Sequence, residues 1–212
     1  MGRENKKESV AALHRQRIMQ AAEALFAQRG FAETSIDALA QASGYSRRTL
    51  YAFFESKEAL LLQMMAQGLT TVKDEIAAAG EAPDFIAQYH RAFQAMRAFL
   101  ARCPASAEQI NRARALPEDA ALSPSAQAIY TLGAEINALL AGYIQQAQGA
   151  GQARAELLPI LSAQLFWGGV CSLFALTQTK GDYLWRAAAL SEEEFWEYGF
   201  RQLMNAMLTR PM

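Results

Sequence analysis

The chain has 212 residues, 52% of them hydrophobic, and a net charge of −1. That length allows one domain or two small ones around a real core, and the near-neutral balance excludes a surface that is basic throughout. Only three valines occur (Val10, Val72, Val170), while alanine, leucine, glutamine and methionine are plentiful, which favours helix over strand along the whole chain. Charge is unevenly placed: residues 1–57 hold nine Lys/Arg and six Asp/Glu, a balance of +3, and residues 58–212 carry −4. A basic front on an acidic body is expected of a nucleic-acid-binding head.

Residues 1–9 are polar, include Arg3, Lys6 and Lys7, and read as a flexible arm without the apolar core of a secretory signal. A first helix is expected over 10–29, with Leu13, Ile18, Ala22, Leu25 and Phe26 inward and Gly30 just past its end. The next stretch, 34–57, reads TSIDALAQASGYSRRTLYAFFESK. Thr34 is placed to cap a helix, with Asp37 three residues on as the capping-box acid. Ile36, Leu39 and Ala40 share a face, Gly44 suits a turn with positive φ, and Ser46 starts a second short helix with Leu50, Phe53 and Phe54 inward. Two short helices about a glycine-containing turn, spanning 35–54, describe a helix-turn-helix. Ser46, Arg47, Arg48, Thr49 and Tyr51 are left outward, a set of donors with two guanidinium forks suited to the major groove.

These residues carry a resemblance. Ala40, Gly44, Ser46, Thr49-Leu50-Tyr51, Phe54 and Ser56-Lys57-Glu58, together with the lead-in Leu25-Phe26, Gly30-Phe31 and Thr34, closely resemble the signature of the tetracycline-repressor (TetR) family in register. The likeness covers roughly residues 10–70. It implies DNA contacts from Thr34, Ser35, Ser46, Arg47, Arg48, Thr49, Tyr51 and Lys57, with Thr34, Tyr51 and Lys57 at phosphate-contacting positions. Family members usually carry a small residue where this chain has Arg48, whose fork matches O6 and N7 of guanine.

Beyond Lys57 the chain reads as a helical body over 58–212. Helices are expected at 57–79, 85–102, 105–116, 125–148, 155–178 and 192–208, with a polar loop at 117–124 and a connection at 180–189. Leu157 to Thr179 holds no charged residue and is long enough to span a bilayer, but Pro159 and its polar residues favour a buried core helix. Ser191 and Glu194 form a capping box for the last helix. Phe85, Tyr89, Phe93, Met96, Tyr130, Phe166, Trp167 and Phe174 are either an ordinary core or, as the resemblance implies, the lining of a cavity for a small organic effector. On the last two helices Gly168, Gly169, Phe195, Trp196, Gly199, Phe200, Leu203 and Met207 read as a dimer surface, a four-helix bundle between subunits.

Catalytic and metal signatures are missing. Cys103 and Cys171 form no metal or redox spacing and read as free thiols of a reducing compartment. There is no HExxH, P-loop or GxSxG, and Gly149-x-Gly151 lacks the strand and third glycine of a dinucleotide loop. The expectation is an all-α protein of about nine helices with no enzyme activity and no cofactor. A three-helix DNA-binding head (10–57) joins an effector-binding and dimerisation domain. The protein would act in the cytoplasm, away from any membrane, as a homodimeric repressor released from a palindromic operator by a small molecule.

Overall fold

A computed structural model of the protein describes residues 2–106 and 122–212. Eight helices and no strand occur among them: α1 (Gly2–Arg29), α2 (Ile36–Ser43), α3 (Arg47–Phe53), α4 (Lys57–Ala79), α5 (Phe85–Arg102), α6 (Pro124–Gly149), α7 (Pro159–Ala188) and α8 (Glu192–Asn205). Most of the helix expected at 105–116 and most of the loop at 117–124 lie outside the described residues.

Most helix starts are set by local chemistry. Ser46, Ser56 and Asp84 accept hydrogen bonds from the backbone of Thr49, Ala59 and Ala87 at the N-termini of α3, α4 and α5. Ser191 and Glu194 cap α8 reciprocally, as their spacing predicts. Between α2 and α3, Gly44 sits at φ 74°, a left-handed conformation that a side chain would strain.

Several features differ from the sequence expectation, the helix expected from 155 starting at Pro159 and the last helix ending at Asn205 rather than 208. Helix α1 begins at Gly2, so the stretch read as an arm is helical; no proline interrupts residues 2–13, and Glu and Lys favour helix. Leu13, placed on the inner stripe, is exposed, and the buried stripe starts at Ile18. The supposed connection at 180–189 belongs to α7. A lone Gly181 costs only about 1 kcal/mol in a helix, and Trp185 closes over it to pack edge-on against Phe195 at 5.2 Å.

Two cores share one helix. Ile18, Phe26, Leu39 and Leu50 of the first three helices, with Phe54 just past α3, close on Leu60, Leu61, Met64 and Met65 of α4. Four residues later α4 enters the larger core, where Leu69, Val72 and Ile76 meet α5, α6 and α7. Two tyrosines fasten that body: Tyr89 on α5 donates its hydroxyl proton to the Leu140 carbonyl at 3.1 Å, and Tyr143 on α6 donates to Ile76 of α4 at 2.5 Å. Burial raises the pKa of both phenols, so they stay neutral donors. The thiols of Cys103 and Cys171 are free and buried, the latter pushed up to about 11 by desolvation.

Candidate nucleic-acid interface

The outward face of α3 is where the sequence placed it. Ser46, Arg47 and Arg48 are exposed at the first turn, and Tyr51 stands 53% exposed one turn later. Thr49 is half-buried, with its hydroxyl 2.9 Å from that of Ser46. Leu50 and Phe54 on the opposite side fix the helix to the head core. The first turn of α3 therefore presents unpaired backbone N–H groups, hydroxyls and guanidinium groups in one direction.

Three of the expected contact residues are otherwise engaged. Thr34 is not the cap of α2: it is buried, its backbone is turned out of the helix, and its hydroxyl donates to the Gly30 carbonyl at 2.8 Å. Ser35, one residue later, is the cap, accepting from Ala38 N at 3.2 Å. The side chain of Lys57 points back into the head rather than outward. Its ammonium donates to the carbonyls of Phe31 (2.7 Å), Ala32 (3.3 Å) and Thr34 (3.0 Å) and lies 4.4 Å from the centre of the Phe31 ring. Here Lys57 holds the start of α4 against the turn between α1 and α2. Arg47 is paired side-on with Asp37 of α2, Nε to Oδ1 and Nη2 to Oδ2. Asp37 is thus the partner of an arginine and not a capping-box acid.

In the body, the aromatic residues fill their own space. Tyr89 packs edge-on against Phe85 and Phe166 at 4.8 Å, and Phe93 meets Phe166, Trp196 and Phe200 at 6.4, 5.7 and 5.2 Å. Met96 and Phe174 are buried in the same cluster, while Tyr130 and Trp167 are half-buried. Open space lies elsewhere. A groove of about 320 Å³ runs between α4 and α5, past Val72, Glu75, His90, Arg91, Phe99 and Arg102. It meets, at Gly68, Phe99 and Arg102, a smaller hollow of about 130 Å³ beside Met19, Glu23, Met64 and Cys103 at the junction of head and body.

The residues expected at a dimer surface mostly face inward. Trp196, Phe200 and Met207 are buried in the body of their own subunit. Phe195 packs on Trp185. Gly169 and Gly199 do permit close approach, but within the chain: a Cβ on either would sit 2.5 Å from Leu203 or Leu173. Gly168 has no such neighbour. The apolar face left open is on the other side of α7. Phe166, Val170 and Phe174 are buried, whereas Leu158, Leu161, Leu165, Leu176 and Tyr183 are exposed, Leu165 by 75%, and Tyr198 of α8 is exposed too. At 100° per residue the two sets lie on nearly opposite sides of the helix. The sequence showed this as a helix apolar all round and so concealed which side was free.

The head and the whole chain both have relatives. Residues 18–64 match the family described as bacterial regulatory proteins, tetR family. An HTH-type transcriptional regulator of Mycobacterium tuberculosis (strain H37Rv) is 52% identical over 44 residues, 21% of this chain, and the match spans only 22% of that regulator's length. Over the full chain, a tetR family transcription regulator from Shewanella sp. PV-4 superposes with a TM-score of 0.61 at 22% identity, covering 93% of this chain and 99% of the other. AibR, in complex with isovaleryl coenzyme A and operator DNA, superposes with a TM-score of 0.67 at 15% identity, covering 94% and 100%. Residues 18–64, which hold the helix-turn-helix, thus match the tetR family of bacterial regulatory proteins, and the remaining helices share the fold of these solved structures.

Proposed function

We propose that the protein is a sequence-specific DNA-binding regulator that acts in the cytoplasm as a homodimer and is released from a palindromic operator by a small organic effector. The observation that carries this reading is the first turn of α3, where Ser46, Arg47 and Arg48 stand together at an uncovered helix N-terminus. Ser35, Thr49 and Tyr51 flank it, and Tyr51 is suited to a phosphate.

The stripe Leu158, Leu161, Leu165, Leu176 and Tyr183 is the surface by which two copies would meet, with Tyr198 at its side. An apolar face of that length is unusual on a lone soluble chain and fits an isologous contact. Such a dimer would set two α3 helices at a fixed separation, which a palindrome matches.

Helix α4 supplies the mechanical link. Its first turns belong to the head core and its later turns to the body core, and Lys57 ties its first residue to the turn before α2. A ligand in the groove between α4 and α5 would press on the middle of that lever, at Gly68, Thr71, Val72 and Glu75. A coupling of about 1–3 kcal/mol would change DNA affinity roughly 5–150-fold, and operator DNA would weaken ligand binding by the same factor. AibR, crystallised with an acyl coenzyme A and operator DNA, supports a ligand-responsive reading by analogy of fold alone. The filled aromatic core favours a second reading, a regulator that needs no ligand. Selection of bound fragments from genomic DNA, followed by anisotropy titrations with and without a compound library, tests both. Retention of one palindromic site, released by a compound that also raises the melting temperature, is the expected result. No site at all would end the regulatory reading, and a site that no binding compound releases would leave the ligand-independent form.

A further inference from the structure

We propose that Asp37 is a positioning residue that presents Arg47 to one base pair of the operator, leaving Arg48 to the phosphates. The inference rests on the DNA-binding reading above and goes beyond it in assigning which arginine reads sequence and what holds it. Asp37 is the second residue of α2 and Arg47 the first of α3, so the pair bridges the turn of the helix-turn-helix. Both carboxylate oxygens are engaged, one by Nε and one by Nη2. The two side chains are 63% and 61% exposed. An ion pair this open contributes little to stability.

Its place makes it informative. Around it stand Ser46, Arg48, Thr49 and Tyr51, all fitted to meet a polyanion. An isolated carboxylate on that face repels phosphates and lowers affinity for every sequence. What it gives in return is orientation. A guanidinium has five N–H groups, and a side-on pair uses one edge of the fork. The outer edge, Nη1 with the remaining Nη2 hydrogen, stays free and points away from the carboxylate. That edge has the spacing of guanine O6 and N7. Arg47 is thereby biased toward one rotamer before DNA arrives, whereas Arg48 has no ion-pair partner among the described residues and keeps its full freedom. A pre-aligned fork discriminates between bases; a swinging cation suits any phosphate.

The test compares Asp37→Ala, Arg47→Ala, the double variant and Arg48→Ala on the selected operator and a panel of single-base changes, at two salt concentrations, with melting curves. Arg47→Ala is expected to relax preference at one base pair by about 5–150-fold. Asp37→Ala should relax the same base pair, and the double variant should be no worse than Arg47→Ala alone. Affinity of Asp37→Ala for non-specific DNA should rise, because an acid has left the DNA face, with its melting temperature unchanged. Arg48→Ala should weaken all sequences alike and make the salt dependence shallower. The proposal is overturned if Asp37→Ala strengthens every sequence equally, which would make Asp37 a mere screen of Arg47. It is equally overturned if Asp37→Ala lowers melting temperature and affinity together, as a staple between helices would, or if Arg48→Ala erases the base preference. Failure of the unaltered protein to retain any DNA would sink the regulatory reading itself, and this inference with it.

Discussion

The head and the body of this molecule are built from the same material, short-range helical patterns with apolar stripes, yet they differ in how function is displayed. In the head the useful side chains are those left over once the core is closed: Ser46, Arg47, Arg48 and Tyr51 point outward because Leu50 and Phe54 point in. In the body the conspicuous side chains are the core itself. Phe93, Phe166, Trp196 and Phe200 pack ring against ring, and the surface that invites a partner is a plain run of leucines on the back of α7. Conspicuous residues mark function where a domain is small and its surface polar. In a larger helical bundle they mark packing.

The sharpest way to break that comparison is to charge each side of the α7–α8 pair in turn. Phe200→Asp places a carboxylate among Phe93, His90 and Met204 in the subunit's own core. A loss of about 4 kcal/mol or more is expected, seen as unfolding at low denaturant. A stable monomer from that variant would return Phe200 to the dimer surface. Leu165→Glu, on the open face, should leave the denaturation of the monomer nearly unchanged. Sedimentation should show it dissociated, and operator affinity should fall at least about 100-fold, since one head alone lacks the second half-site. An intact Leu165→Glu dimer would remove the stripe from the interface.

Lys57 tests the same contrast inside the head. As a phosphate contact, its loss would weaken all DNA and flatten the salt dependence by nearly one counterion per subunit. As the clasp seen here, donating to three carbonyls, its replacement by alanine should cost about 1.5–3 kcal/mol of head stability and leave the salt slope unchanged. Denaturant midpoints and titrations at two salt concentrations separate the two.

The smallest expected effect is acid sensitivity at α8. Arg97 holds Glu193 below the ordinary 4.5, and the backbone and hydroxyl of Ser191 do the same for Glu194. Carboxylates with depressed values contribute stability above pH 4.5 and lose it as pH falls through their lower folded values. Glu193→Gln and Glu194→Gln should therefore shrink the drop in melting temperature on acidification below pH 4.5. Both groups are open to water, so the change should be slight. An unchanged profile would show that neither carboxylate is coupled to folding.

How much of this was legible beforehand depended on the range of the interaction. The turn at Gly44, the caps at Ser46, Ser56 and Ser191, the break after Gly149 and the outward set on α3 are governed by contacts within about four residues, and sequence spacing records them. Even there, a single-residue ambiguity misplaced the cap of α2, because Thr34 and Ser35 have nearly the same chemistry and the Thr34 hydroxyl is taken by the Gly30 carbonyl four residues back. Contacts over long separations left no mark in the pattern. Lys57 reaches back 26 residues to Phe31, Asp37 finds Arg47 across a turn, and Phe200 faces Phe93 rather than a second copy. The sequence by itself determined where α3, α4, α5 and α8 begin, that most helices carry an apolar face and that a helix-turn-helix leads the chain. Only the tertiary structure decided which apolar face is closed and which cations are free, because burial is a property of neighbours and periodicity names the face without naming what covers it.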